Sequence, residues 1–318
     1  MTPHFCGVIL IRGGDNMWEK IIDLLNLSIR EVWAIEKFFE YFGNLFTTFS
    51  PKKFFSLILA MVEILQMLIL GMPLTPRGET LDLTGYNIVV YDEFDGDSLN
   101  EDLWEVRGNG PRRCGYNHTS QVSVRDGNLV ITGEYLEDGF YGEGWYTAAI
   151  KLKERYKQGY FEIKCIVNDS PGYWSAFWIQ ADSPYTASVS KGGVGGAEID
   201  IFESYNYGEN EYAITNAIHC AGVDGVEEGF QSALLGKFKG NNVSKEYNTY
   251  GLEWTEDEYI FYVNGVETVR STFGNGVSQV PEDVIVSLEI PDAEKMAGLD
   301  KDNFKTEFIV DYVKIYQK

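Results

Sequence analysis

Three carboxylates fall within six residues of "GGAEIDIFESY": Glu198, Asp200 and Glu203, with Ile199, Ile201 and Phe202 between them. Apolar residues alternating with acids read as a β-strand. On such a strand Glu198 and Asp200 share one face while Ile199 and Ile201 share the other. Glu203 breaks the pattern, because strict alternation puts it with the isoleucines. One extra residue, a β-bulge near Ile201 and Phe202, returns it to the acidic face, and bulges occur beside active sites. Two carboxylates of unlike pKa flanking one bond are what glycosidic hydrolysis needs, one ionised as nucleophile and one protonated as acid. Asp200, between them, can hydrogen-bond to either and help hold their pKa values apart. A solvated strand face and a calcium site are the competing readings of acids so close together.

The neighbourhood favours a cleft. "GYWSAFWIQ" sets Trp174 and Trp178 four residues apart, on one face of a strand. Flat indoles with a polar edge stack on the apolar faces of sugar rings; core packing is the alternative for either. No cluster of Lys and Arg surrounds the tryptophans or the acid strand in the sequence, the loop pair Arg112 and Arg113 being the nearest exception.

The 318-residue chain carries a net charge of −22, unevenly spread. Residues 1–76 hold 6 Lys and Arg against 7 Asp and Glu, which leaves 20 against 41, or −21, for residues 77–318. So acidic a surface repels nucleic acid, anionic lipid and sulfated polymers and favours neutral or cationic ligands. Solubility alone is an equally good reason for it. Cys6, Cys114, Cys165 and Cys220 show no metal-ligand spacing, and the three of the main domain cannot all pair, so reduced thiols are expected. His4, His118 and His219 are too few and too scattered for a histidine metal site.

The elements that must position these residues lie in the second of two regions. Residues 1–76 read as helical, with a periodic stretch beginning at an Asn16 cap and a 19-residue apolar run from Phe54 to Met72. That run, 54–72, resembles a secretory signal or a membrane anchor, although Glu63 at its middle opposes a settled span. From about residue 82 the texture becomes short strands and tight turns, with Asp126-Gly127 and Asn264-Gly265 as the strongest hairpin signals. Many short strands over residues 77–318 predict an all-β sandwich or barrel in one domain.

"GAEIDIFES" resembles the active-site signature of glycoside hydrolase family 16, in the longer form with one extra residue before the last Glu. The resemblance extends through "YDEFDGDSLNEDLWEV", "VSVRDGNLVITGEY", "AAIKLKERYKQGYFEIKC", "GYWSAFWIQ", "YNTYGLEWTEDEYIFYVNGVE" and the closing "FIVDYVKIYQ". It implies a β-jelly-roll of two curved antiparallel sheets with a concave substrate cleft. It further implies Glu198 as nucleophile, Asp200 as assisting acid and Glu203 as acid/base. Trp174, Trp178 and Trp254 match aromatic positions near the cleft, His219 a polar position on a neighbouring strand, and Asn109 a loop position. Many members hold a structural calcium on the convex side, where Glu93 and Asp311 fall. "IPDAEKMAGLD" and "ADSPYTASVSKGGVG" depart from the family pattern and leave linkage preference open.

The expected function is therefore a retaining endo-β-glucanase acting on neutral β-1,3- or mixed β-1,3/1,4-glucan, as a secreted or cell-surface anchored monomer. It needs no catalytic cofactor and binds no nucleic acid; its membrane attachment, if any, runs through residues 54–72. Galactan or xyloglucan hydrolysis, and a non-catalytic glycan-binding jelly-roll, are the alternatives. The last requires loss of one of the two glutamates, and both are present.

Overall fold

Asp126-Gly127 and Asn264-Gly265 both take the left-handed backbone, with φ of 52° and 70° in the first pair and 50° and 74° in the second. Two-residue turns with both central φ positive match the twist of the strands they join. They close hairpins between Val122–Arg125 and Asn128–Leu136 and between Tyr259–Val263 and Val266–Ser271.

These hairpins belong to a computed structural model that divides into two units, Met1–Leu65 and Gln66–Lys318. It describes residues 81–182, 184, 192–204, 213–223, 229, 231–239 and 243–318, all in the second unit. The helical pattern, the 54–72 run and the boundary at residue 76 lie outside the described residues.

The described chain is a succession of strands. They begin β1 (Asn87–Asp92), β2 (Trp104–Val106), β3 (Gly110–Arg112), β4 (Gly115–Asn117), β5 (Val122–Arg125) and β6 (Asn128–Leu136). Next come β7 (Gly144–Thr147), β8 (Ala149–Leu152), β9 (Gly159–Ile166), β10 (Trp174–Gln180), β11 (Glu198–Glu203) and β12 (Ala213–Cys220). The series ends with β13 (Gln231–Lys239), β14 (Asn248–Trp254), β15 (Tyr259–Val263), β16 (Val266–Ser271), β17 (Asp283–Glu289) and β18 (Lys305–Gln317). One sheet runs β16-β15-β14-β9-β18-β6-β7-β4-β3, with β1 also on β18 and β5 on β6; the other runs β13-β12-β11-β10-β17-β8-β2. Pairing is antiparallel except between β4 and β7, which run parallel. This is the jelly-roll sandwich that the strand pattern and the family resemblance implied.

Alternation builds the layers. Phe161, Phe177, Phe202, Phe261 and Phe308 are fully buried between the sheets, and each such side chain contributes roughly 1.5–3 kcal/mol through removal from water. The opposite face of β10 and β17 carries a separate cluster of Trp174, Ala176, Trp178 and Ile285. That outer face is where the acids meet. Cys114, Cys165 and Cys220 are free thiols, as expected. Among the described residues no helix is long and apolar enough to cross a membrane.

Candidate active site

The register of β10 against β11 carries the site. Ala176 pairs with Glu203, Phe177 with Phe202 and Trp178 with Asp200, which leaves Ile201 without a partner on β10. On the other flank Asp200 pairs with Ala217 and Glu203 with Thr215, so β11 again holds one residue too many. This is the bulge the alternation argument called for. Ile201 and Phe202 both enter the core. Directly paired residues share a face of a sheet, so Asp200 and Glu203 project on the side of Trp178 and Ala176, and Glu198 on that of its partner Gln180. All three acids therefore face outward from one sheet.

A bulge interrupts the ladder and frees backbone groups. The buried Asn216 side chain takes up one of them, its Nδ2 donating to the Ile201 carbonyl at 2.6 Å. Ser204, directly after Glu203, is tied down as well. Its Oγ and that of Ser175 both donate to Asn168 Oδ1, at 3.1 and 2.8 Å.

The acids differ in surroundings. Glu203 accepts from the Trp174 indole nitrogen at 3.0 Å. Burial, and after it the charge of Asp200, push its carboxyl up to about 8, while the indole bond pulls the other way. Asp200 is buried, and burial followed by the charges of Glu198 and Glu289 raises it well above the usual carboxylate range. Its Oδ2 lies 3.0 Å from His219 Nε2, and His219 Nδ1 lies 2.6 Å from Ser232 Oγ. Glu198 stands across from His219 on β12 and accepts from Gln180 Nε2.

Trp174 and Trp178 share the outer face as expected, but neither offers an open ring. The guanidinium carbon of Arg113 sits 4.6 Å from the Trp174 ring and that of Arg107 sits 4.8 Å from the Trp178 ring. The expectation that no cluster of Lys and Arg surrounds the tryptophans is thereby corrected: Arg113, of the loop pair that was its nearest exception, covers Trp174, and Arg107 covers Trp178. The loops that deliver the arginines are remote in sequence from "GYWSAFWIQ", so local composition could not show them. Trp254 is also corrected. On β14 it alternates inward with Tyr250 and Leu252, is fully buried between the sheets, and donates to the Ser278 carbonyl at 3.0 Å. It is core and reaches no substrate. Asn109 is exposed in the short loop between β2 and β3, two residues after Arg107.

Glu93 and Asp311 do not suit calcium. Asp311 pairs with the Lys164 ammonium at 2.8 Å, and Glu93 accepts from the Tyr91 hydroxyl. The Lys314 ammonium lies 4.5 Å from the Tyr91 ring, so cations already occupy the neighbourhood a dication would need. Glu198, Asp200 and His219 each bring one ligand-type atom within 4.8 Å of the others. The direct Asp200–His219 contact accounts for that approach without an ion.

A family model described as "Beta-porphyranase A-D, GH16 domain" matches residues 88–318. The chain is 27% identical over 204 residues to an endo-1,3-1,4-β-glycanase, EglC, of Rhizobium meliloti, covering 61% of this chain and 39% of that protein. It is 26% identical over 223 residues to a glucan endo-1,3-β-glucosidase A1 of Niallia circulans, covering 62% of this chain and 30% of that protein. The chain thus spans less than half the length of these curated relatives. Among solved structures, the non-specific endo-β-1,3(4)-glucanase SCLam superposes with a TM-score of 0.60 at 22% identity, over 76% of this chain and 95% of that one. At that identity the likeness shows the fold alone.

Proposed function

We propose, since the chain belongs to glycoside hydrolase family 16, that it is a retaining, endo-acting hydrolase of a β-linked polysaccharide. The observation that supports this best is the bulge between Asp200 and Glu203, which turns a carboxyl with a pKa of about 8 onto the face that carries Glu198. In the proposed reaction Glu198 attacks the anomeric carbon as the bond to the leaving oxygen breaks, and Glu203 gives that oxygen its proton. The result is a covalent glycosyl-enzyme and a freed chain end. Glu203, now a carboxylate, takes a proton from water, whose oxygen displaces Glu198 and restores both groups. Asp200, held by His219, orients its neighbours.

Azide tests the assignment. In Glu198→Gly no covalent intermediate can form, and azide entering the vacated space gives a glycosyl azide of inverted configuration. In Glu203→Ala the nucleophile survives, an activated aryl glycoside still forms the intermediate, and azide gives the retained product. The same anomer from both variants, or the reverse pattern, sinks the assignment.

The substrate reading is β-1,3- or mixed β-1,3/1,4-glucan, supported by what the named relatives act on. A second reading, an anionic galactan, is favoured by one specific observation. Arg113 stacks over Trp174 beside Glu203 without a carboxylate partner among the described residues, and the matching family model is named for porphyran, a sulfated galactan. A guanidinium in contact with bound sugar acts inside the screening length of about 8–10 Å, where a net surface charge of −21 over residues 77–318 is felt weakly. Product analysis on laminarin, barley glucan, xyloglucan, agarose, carrageenan and porphyran separates the two. Secretion or anchoring through residues 54–72 is proposed from the sequence pattern, as is a monomeric state.

A further inference from the structure

Gln180 ends β10 directly opposite Glu198. Its Nε2 donates to Glu198 Oε2, and its Oε1 accepts from an Arg107 guanidinium nitrogen at 2.9 Å. A guanidinium can only donate and a carboxylate only accept, so these neighbours admit one orientation of the amide. Arg107 is itself fixed from two sides. Its backbone N–H donates to the Ala149 carbonyl at 2.7 Å, and its guanidinium lies over Trp178, whose indole nitrogen donates to Ser287 Oγ at 3.0 Å. The Arg107 side chain thus reaches from the β8 edge across β17 to β10, where it meets both the Trp178 ring and the Gln180 amide.

We infer that Arg107 and Gln180 are positioning residues, a directed chain of hydrogen bonds that fixes one carboxylate oxygen of Glu198 and with it the direction of the attacking group. The chain rests on the reading of Glu198 as nucleophile. Both of its bonds involve a charged end, which makes each stronger than a neutral pair, and each polarises the other. It brings a cation's influence onto Glu198 through the Gln180 amide rather than by direct contact. It also separates the two cleft arginines by role. Arg107 is committed to the amide, whereas Arg113 faces the substrate space.

A double-mutant cycle tests this on the polysaccharide that the unsubstituted protein cleaves fastest. Gln180→Leu is expected to lower kcat by roughly tenfold or more, with KM changed less than about twofold, since a transition-state orientation is lost rather than a binding contact. Arg107→Met is expected to lower kcat by a smaller factor. The double variant should equal Gln180→Leu alone, because Arg107 acts through the amide. Additive losses mean that Arg107 serves only to brace Trp178, and overturn the inference, as does wild-type kcat in Gln180→Leu. If Gln180→Leu does not fold, the near-isosteric Gln180→Glu replaces it. A carboxylate there can accept from Arg107 but cannot donate to Glu198, so kcat should fall by at least as much as expected for Gln180→Leu with KM little changed, and a kcat equal to that of the unsubstituted protein overturns the inference. Absence of glycan cleavage by the unsubstituted protein would instead bring down the functional reading on which the chain rests.

Discussion

The Asn216 side-chain amide bonds the backbone carbonyl of Ile201 at 2.6 Å, so one polar side chain on β12 stabilises the irregularity that turns Glu203 outward on β11. Asn216 is 2% exposed, so removing its donor leaves the Ile201 carbonyl buried without a partner. Such a loss costs about 1–3 kcal/mol. Asn216 Oδ1 is itself buried without a partner, so Asn216→Leu removes one unsatisfied group as it creates another; it is expected to lower unfolding free energy in urea by less than that amount but to lower kcat more than tenfold, because β11 can relax toward regular pairing. Lost stability with an unchanged kcat would mean that burial of Ile201 and Phe202 holds the bulge unaided.

The bulge was legible because it follows from a conflict inside one short segment. Acids at 198, 200 and 203 cannot share a face of a regular strand, and Ile201-Phe202 is the place where two successive apolar residues can both turn inward. The hairpins at Asp126-Gly127 and Asn264-Gly265 were legible for the same local reason, since their φ angles are set by the turn pair itself. Arg107 was not. Its partner Gln180 lies 73 residues away, and only the crossing of loops over β17 brings them together. Asn216 looked like any polar strand residue until pairing placed it beside the freed carbonyl. Trp254 failed differently. Alternation along "YGLEW" puts it with Tyr250 and Leu252, but which face of β14 is the interior depends on the sheet that β14 joins.

Glu203 predicts the alkaline limb of the pH profile. Its protonated form is the one that can act as acid, so kcat/KM should fall as pH rises through about 8. The Trp174 indole donor favours the charged form and lowers that value. Trp174→Phe removes the donor and should move the limb to higher pH, even as the loss of ring edge lowers the rate overall. A limb that stays in place, or moves down, would assign it to another group.

Glu282 makes stability depend on pH. Fully buried just before β17, it accepts from the Ala197 N–H at 3.0 Å and from the Ser278 hydroxyl at 2.5 Å, while its other oxygen has no partner. Burial pushes its carboxyl from 4.5 to about 8. Between those values the folded chain holds a proton that the unfolded chain has released, so stability falls as pH rises, by about 1.4 kcal/mol per unit for this group. Glu203 contributes with the same sign. Urea unfolding at pH 5, 6, 7 and 8 should show a clear decline, and Glu282→Gln should make it shallower without abolishing it. An unchanged slope in the variant would show that Glu282 is ionised in the fold.

Arg113 gives the last prediction, because it is the cleft arginine with neither an acid nor an amide partner among the described residues, whereas Arg107 donates to Gln180. It is exposed, its guanidinium 4.6 Å from the Trp174 ring, while its neighbour Arg112 is engaged by Glu289 at 2.6 Å. A guanidinium without a hydrogen-bonding partner can take a sulfate through paired charge-assisted hydrogen bonds, whereas a neutral glucose unit offers it no charged acceptor. Arg113→Met keeps much of the apolar stem that covers Trp174 and removes the charge. The ratio of kcat/KM on porphyran to that on laminarin should therefore fall in Arg113→Met, by roughly tenfold for one charge-assisted contact of about 1.4 kcal/mol. Raising the salt concentration should lower the ratio in the unsubstituted protein relative to the variant, in which only the repulsion of a sulfated chain by the net negative charge remains to be screened. A ratio unaffected by both the substitution and the salt would mean that Arg113 serves only to cover Trp174, and would remove the structural support for an anionic substrate.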